Sequence, residues 1–264
     1  VAGWNYMMLA ALADVVQYCP VDIIQQQALG LIQQTVEGCL KEFIVVDQKT
    51  EKHVIRHVNT LDSQALYLED YVSFSDAQLR LYEVSGNETF KKNALETMDF
   101  ITANFIKDQK VYLTAIDSAT PGFTNMSAPS FDQSYRSSVM TFVLLLNRMS
   151  VLDPKYNPVE LFGENYENFA QFALTNPLGH GEGLRALTYP RDIFRKIEVP
   201  HAWLSEASFL EMRNHFFSRF ILTYQNFDNE SYQICTSNKC EVQGKGLDKF
   251  KELFKMQEGN DEEA

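Results

Sequence analysis

Apolar positions recur at helical spacing along most of the chain. Residues 4, 8, 11 and 15 are apolar and predict a first helix over 4–18, which Pro20 ends. Asp22 can cap a second helix, with Ile24, Ala28, Leu31, Thr35 and Cys39 on one face as far as Phe43. Residues 44–58 alternate unevenly through Val45, Val46, Val54, Ile55 and Val58, which predicts a two-stranded excursion. A third helix is predicted over 65–84 and stops at Ser85-Gly86, where glycine suits a left-handed terminating residue. Asn87 then caps a fourth helix, with Glu88 in its first turn and Phe90, Ala94, Met98, Ile101 and Phe105 as its buried stripe.

The second half continues this cadence and then changes. Residues 108–116 read as a short hairpin arm, and 117–131 as a loop rich in Ser, Thr, Pro, Gly and Asn. Helices follow near 133–150 and 161–174, with a short helical stretch up to 189 after His180-Gly-Glu-Gly183. From 193 to 199 the pattern alternates like a strand, 202–217 is helical, and 220–224 and 232–235 are strand-like. The expected organisation is a helical-pair domain over 1–190, a small α/β unit over 191–250, and a helix end with an acidic tail over 251–264.

Composition narrows the partners. A content of 45% hydrophobic residues supports a real core. The formal charge of −12 argues against nucleic acid, whose phosphates want a cationic face. The longest apolar stretch, 139–146, is far too short to span a membrane. No cationic start precedes an apolar run, so the expected compartment is the cytoplasm and the three Asn-x-Ser/Thr triplets carry no weight. Four cysteines do not make a disulfide scaffold; Cys19 and Cys39 lie on apolar faces and are expected to be inert thiols.

Several segments together resemble a known family. Ala2-Gly3-Trp4-Asn5 with Met7-Met8-Leu9-Ala10-Ala11-Leu12 resembles the "WNGLMI-ALA" helix of the YyaL-type, spermatogenesis-associated thioredoxin-like proteins. Leu68-Glu69-Asp70-Tyr71 with Leu81-Tyr82-Glu83-Val84-Ser85-Gly86 resembles that family's "LDDYA…LYE-TGD" helix. Tyr232-Gln-Ile-Cys235 with Cys240 resembles its closing "YVC…C" segment. The matches keep family order and span nearly the whole chain. The resemblance implies a partial (α/α)6-type toroid of the six-hairpin glycosidase-like superfamily, related to sugar epimerases and hydrolases. It also implies that the family's N-terminal thioredoxin-like domain, a natural partner, and the first helix pairs lie outside this chain. About three helix pairs are legible where a closed ring needs six.

One segment departs from the family pattern. Where "YDGAVPSGNS" is expected, the chain has Ser130 to Met140, keeping Asp132 and Ser137. Arg136 replaces Pro, Ser138 replaces Gly, and Val139 stands where Asn is expected. Tyr6 replaces the glycine of "WNG".

Candidate chemistry gathers at helix openings. Asp70 shares a face with Phe74, Ala77 and Leu81, so it sits in a first turn yet points inward, as an acid or base with a raised pKa or as a mere helix-end charge. Trp4 and Asn5 offer a stacking surface and an amide for a sugar-like ligand, or else core packing and a cap; Tyr71 adjoins them in the expected pocket lining. His53 and His57 lie four apart on an extended segment, and His57 is a candidate proton carrier or a solvated loop residue. Arg136 beside Ser137 and Asp132 can hold a carboxylate or phosphate, or simply pair with Asp132. Cys235 and Cys240 either close a redox-sensitive disulfide across a turn or stand as two thiols. Neither cofactor motif nor metal-ligand set is legible.

The leading expectation is a module that binds a carbohydrate-like ligand or scaffolds, with weak or no catalysis. The rivals are a sugar epimerase or glycoside hydrolase using Asp70 with His57 or Asp132, and a pure protein-interaction domain. The enzymatic rival requires one of those partners within about 10 Å of Asp70, the upper end for catalytic carboxylate pairs.

Overall fold

The computed structural model describes residues 1–46, 53–59, 65–116, 126–188, 194–213, 220–226 and 228–258. It is mostly helical, with ten α-helices among the described residues and one four-stranded sheet near the C-terminus. The chain divides into two units: Val1–Leu146 with Asn157–Thr188, and Asn147–Tyr156 with Tyr189–Ala264. One cut, between 188 and 189, falls next to the expected boundary at 190; the segment 147–156, which begins in the last turn of one helix, goes with the second unit instead.

In the first unit, α1 (Ala2–Tyr18) and α2 (Asp22–Phe43) lead into an antiparallel pair, β1 (Ile44–Val46) and β2 (His53–Ile55). Next come α3 (Leu68–Ser85) and α4 (Glu88–Phe105), with a second small pair, β3 (Ile106–Lys107) and β4 (Lys110–Val111). Helix α3 is the centre of this unit and packs against both α1 and α4. It is buried on every face, although Asp70, Ser73, Ser75, Asp76, Gln78 and Glu83 are among its buried residues. Such a helix is held by partners for its polar groups as much as by apolar burial. Gly86 ends it in the left-handed region at φ 67°, and the Asn87 side chain accepts from the Thr89 amide at 3.0 Å, as the sequence leads one to expect.

Helix α4 buries Ala94, Met98, Ile101 and Phe105 completely, four of the five residues of its expected stripe, while Phe90 in the first turn is only half-buried. Helix α1 does not follow its expected stripe. Trp4 is 57% exposed and Met8 58%, while Ala2, Gly3, Tyr6, Leu9, Ala10, Ala13 and Val16 face inward. The chain is apolar on both sides of α1, and the side with the small residues is the one that lets α3 approach closely. In α2 only part of the expected face is covered: Ala28 and Cys39 are buried, whereas Ile24 and Leu31 are exposed. Asp22 is the first helical residue and not the cap. The unit is completed by α5 (Ser138–Met149), whose end passes into the second unit, and by α6 (Pro158–Phe162), α7 (Glu164–Thr175) and α8 (Gly181–Thr188). Gly181 and Gly183 lie in the first turn of α8, which therefore begins within the His180-Gly-Glu-Gly183 run and not after it.

The second unit is built on the sheet β6-β5-β7-β8. Its strands are β5 (Arg195–Pro200), β6 (Phe220–Gln225), β7 (Ser231–Cys235) and β8 (Cys240–Lys245). β5 runs parallel to β6, and β7 is antiparallel to both β5 and β8. Helices α9 (Ala207–Arg213) and α10 (Leu247–Glu258) belong to it, and Trp203, Phe209, Tyr232 and Phe250 form its aromatic core. The expected helix over 202–217 is a 3-10 turn over His201–Ser205 followed by α9, and 214–217 lie outside the described residues. The acidic residues at 259–264 also lie outside them.

Candidate functional site

The opening of α3 collects the chemistry. The chain arrives there extended through Tyr67, and the segment 66–68 pairs by backbone hydrogen bonds with Leu113 and Ala115. Glu69 and Asp70 therefore fall in the first turn, where the helix dipole favours carboxylates. On the other side, the Ala2 amide donates to the His57 carbonyl at 2.8 Å, which fixes His57 just beyond β2. The Tyr71 hydroxyl accepts from the Ile55 amide at 3.0 Å and holds β2 against α3.

These constraints place His57 Nδ1 2.9 Å from Asp70 Oδ2 and 3.6 Å from Glu69 Oε1. An ionised carboxylate only accepts, so Nδ1 carries the proton of the His57–Asp70 bond. Asp70 is fully buried, and its other oxygen accepts from the Gly3 amide at 2.8 Å. The Tyr135 hydroxyl donates to Glu69 Oε2. The His57 ring lies 4.6 Å from that of Tyr67. The hydrogen bond to Asp70 raises the His57 pKa above its ordinary value; burial opposes this, and the charges of Asp70 and Glu69 add to it. Burial first, and then the bond to Glu69, push the Tyr135 hydroxyl well above the usual range and keep it protonated. The result is one connected group, Tyr135–Glu69–His57–Asp70–Gly3.

A second polar system lies further along α3. Asp76 accepts from Arg80 Nε and from an Arg136 nitrogen, each at 2.9 Å, and Arg80 also pairs with Asp14. Burial disfavours the Arg80 charge, but Asp76 and Asp14 outweigh it and hold the guanidinium above its ordinary pKa. Met7, Val72, Ser73, Tyr135, Arg136, Ser138 and Thr141 line a cleft of about 10 Å³, room for about one water molecule.

The structure thus brings together His57 and Asp70 from among the sequence candidates, and adds Glu69, Tyr135 and Gly3. Asp132 is engaged elsewhere. One of its carboxylate oxygens accepts from the Ser137 amide at 2.7 Å and the other from the Glu182 amide at 3.0 Å, securing the starts of α5 and α8. Ser137 takes part in the same turn, with its hydroxyl donating to the Pro129 carbonyl. The Arg136–Asp132 pairing expected from the sequence gives way to Arg136–Asp76, because buried Asp76 would otherwise lack one of its cationic partners. Asn5 turns its amide back to the Val1 carbonyl, and Trp4 is turned out to solvent. Tyr71 is a core residue stacked on Phe100. His53 is exposed on β2 and is no part of the cluster. Cys235 and Cys240 are disulfide-bonded, and Cys19 and Cys39 are free. Burial pushes the Cys39 thiol up to about 11, which agrees with an unreactive core thiol.

Of the added residues, Glu69 had a signal in its place beside Asp70. Tyr135 and Gly3 had none, because each reaches the site across more than sixty residues. No helix among the described residues is long and apolar enough to cross a membrane. Compared with known protein families and with curated proteins, the chain has no match.

Proposed function

We propose that this chain is the helical portion of a YyaL-type thioredoxin-like protein, folded as part of an (α/α)6-type ring, and that it binds a sugar-like ligand at the opening of α3. The supporting observation is the convergence of His57, Glu69, Asp70 and Tyr135, a set of donors and acceptors around one fully buried carboxylate. Polyhydroxy ligands are read by such sets, because each hydroxyl can both donate and accept. Catalysis by a carboxylate pair is disfavoured, since both oxygens of Asp132 already accept from backbone amides. The test is a thermal-shift screen against mono- and disaccharides, sugar phosphates and uronic acids. A stabilising hit lost in Asp70→Asn and His57→Gln supports the reading. Silence from a well-folded protein across the panel counts against it and favours a scaffold.

One observation favours a second reading, proton transfer on the bound ligand. His57 lies 2.9 Å from Asp70, within the limit that an epimerase-like acid/base pair requires. Turnover of a panel sugar with a pH profile set by His57 and lost in His57→Gln would establish it. Hits that bind without turnover leave the binding reading in place.

A further inference from the structure

His57, Glu69 and Asp70 each present one ligand atom, and the three atoms lie within 4.8 Å of one another. From His57 Nδ1 the distances are 2.9 Å to Asp70 and 3.6 Å to Glu69. An ion holding four donors at about 2.0–2.2 Å sets neighbouring donors roughly 3.4 Å apart, inside the interval those two distances span.

The surroundings suit the same role. Each carboxylate turns one oxygen toward His57 and has the other held by a donor: Gly3 N for Asp70 and the Tyr135 hydroxyl for Glu69. Ligating carboxylates are oriented in this way by outer hydrogen bonds. Tyr6 follows Gly3 by one turn on the face of α1 that meets α3, and its buried hydroxyl has no hydrogen-bond partner among the described residues. That hydroxyl feels the charge of Asp70, after burial and Cys39, as an upward push on its pKa. Two carboxylates against one imidazole leave a charge deficit that a cation would fill.

We propose that His57, Glu69 and Asp70 form a divalent-cation site, with Gly3 and Tyr135 as its outer shell. One nitrogen and two carboxylate oxygens suit Mn²⁺ or Zn²⁺ better than Ca²⁺, which takes six to eight oxygens. Three protein ligands leave a position open for water or a ligand hydroxyl. The ion takes the place of the proton between His57 and Asp70. A protonated ring releases one proton on binding, and a neutral ring moves its proton from Nδ1 to Nε2. The inference rests on the ligand-binding reading of this site and gives that reading its chemistry.

The experiment is calorimetric and paramagnetic-resonance titration of the full chain with Mn²⁺ alone at pH 7.5, then with Zn²⁺. One saturable site is expected, weakened at least about tenfold in His57→Asn and in Glu69→Gln, and about tenfold in Tyr135→Phe. Glu69→Gln keeps an acceptor for Tyr135, so it remains folded, which circular dichroism checks. No saturable binding, or binding unchanged in both His57→Asn and Glu69→Gln, overturns the proposal. If Mn²⁺ shows no saturable site while a sugar stabilises the protein equally in chelator and in Mn²⁺, the cation inference fails and the ligand reading stands. If Mn²⁺ binds as expected and the whole sugar panel is silent, the cation site stands and the ligand reading falls.

Discussion

The Gly3 amide donates to the Asp70 carboxylate at 2.8 Å, joining residues sixty-seven apart in sequence at the contact between α1 and α3. A Cβ on residue 3 would stand 3.1 Å from that same carboxylate oxygen, so Asp70 would have to move by a few tenths of an ångström. Asp70 is also tied to His57, and the displacement would be passed on. In Gly3→Ala the gain in helix propensity, about 1 kcal/mol, offsets the crowding, so global stability changes by less than about 1 kcal/mol. The His57 pKa falls toward its ordinary value. An NMR titration of the His57 ring reads this; an unchanged titration would show that the contact does not position Asp70.

The raised His57 pKa makes stability depend on pH. A group whose folded-state pKa exceeds its unfolded value, here 6.5, contributes fully below that value. The contribution is then lost as pH rises through the folded pKa. Urea unfolding across the range from acid to mildly alkaline pH is expected to show this loss in the wild type and not in His57→Gln. Parallel pH profiles would remove the His57–Asp70 bond as a source of stability.

Asp76 sits buried between Arg80 and Arg136, and Arg80 is largely covered. Asp76→Ala leaves a largely covered guanidinium still paired with Asp14, and a loss of up to about 3 kcal/mol, the low end for a broken buried pair, is expected in chemical denaturation. Arg136→Ala removes the more exposed cation and costs less, because solvent screens it. Equal effects from the two substitutions would contradict this ordering.

Asp132 accepts from two backbone amides that open two helices, so Asp132→Ala is expected to cost about 2 kcal/mol or more through lost caps. Asp132→Asn keeps one acceptor and is expected to lose less. If a sugar-directed activity is found, the conservative variant retains it, whereas a catalytic carboxylate would not. Trp4→Phe, at an exposed position, is expected to shift stability by no more than about 0.5 kcal/mol.

The Cys235–Cys240 disulfide closes a short loop across β7 and β8. By loop-closure entropy its reduction is expected to cost about 2 kcal/mol. In a Trp4→Phe background the buried Trp203 is the remaining tryptophan and reports on the aromatic core of the second unit. Denaturation followed by its fluorescence, with and without dithiothreitol, measures the difference. Coincident curves would show that the bridge adds nothing to that unit.

What the sequence determined by itself is local. Helix periodicity placed α3 and α4, the Gly86 and Asn87 signals set the junction between them, and alternation found β1, β2, β5, β6 and β7. These signals live in residues three or four apart, or one turn from a cap, so neighbours along the chain suffice. It also put Asp70 on an inward face; Asp70 is fully buried, but so is nearly all of α3, so that burial comes from the elements packed around the helix and not from its apolar pattern. Tertiary structure decided which face of α1 is buried, since Trp4, Met8 and Val15 compete with Tyr6, Leu9 and Ala13 and only the approach of α3 selects the smaller set. It decided that Arg136 answers Asp76 and not Asp132, because a carboxylate inside a buried helix demands cations that sequence proximity does not identify. It assembled His57, Glu69, Asp70, Tyr135 and Gly3 from distant parts of the chain. Hydrogen bonds between such residues leave no period in the sequence, and only the packing of α1, β2 and the segment before α5 around the first turn of α3 brings them within reach.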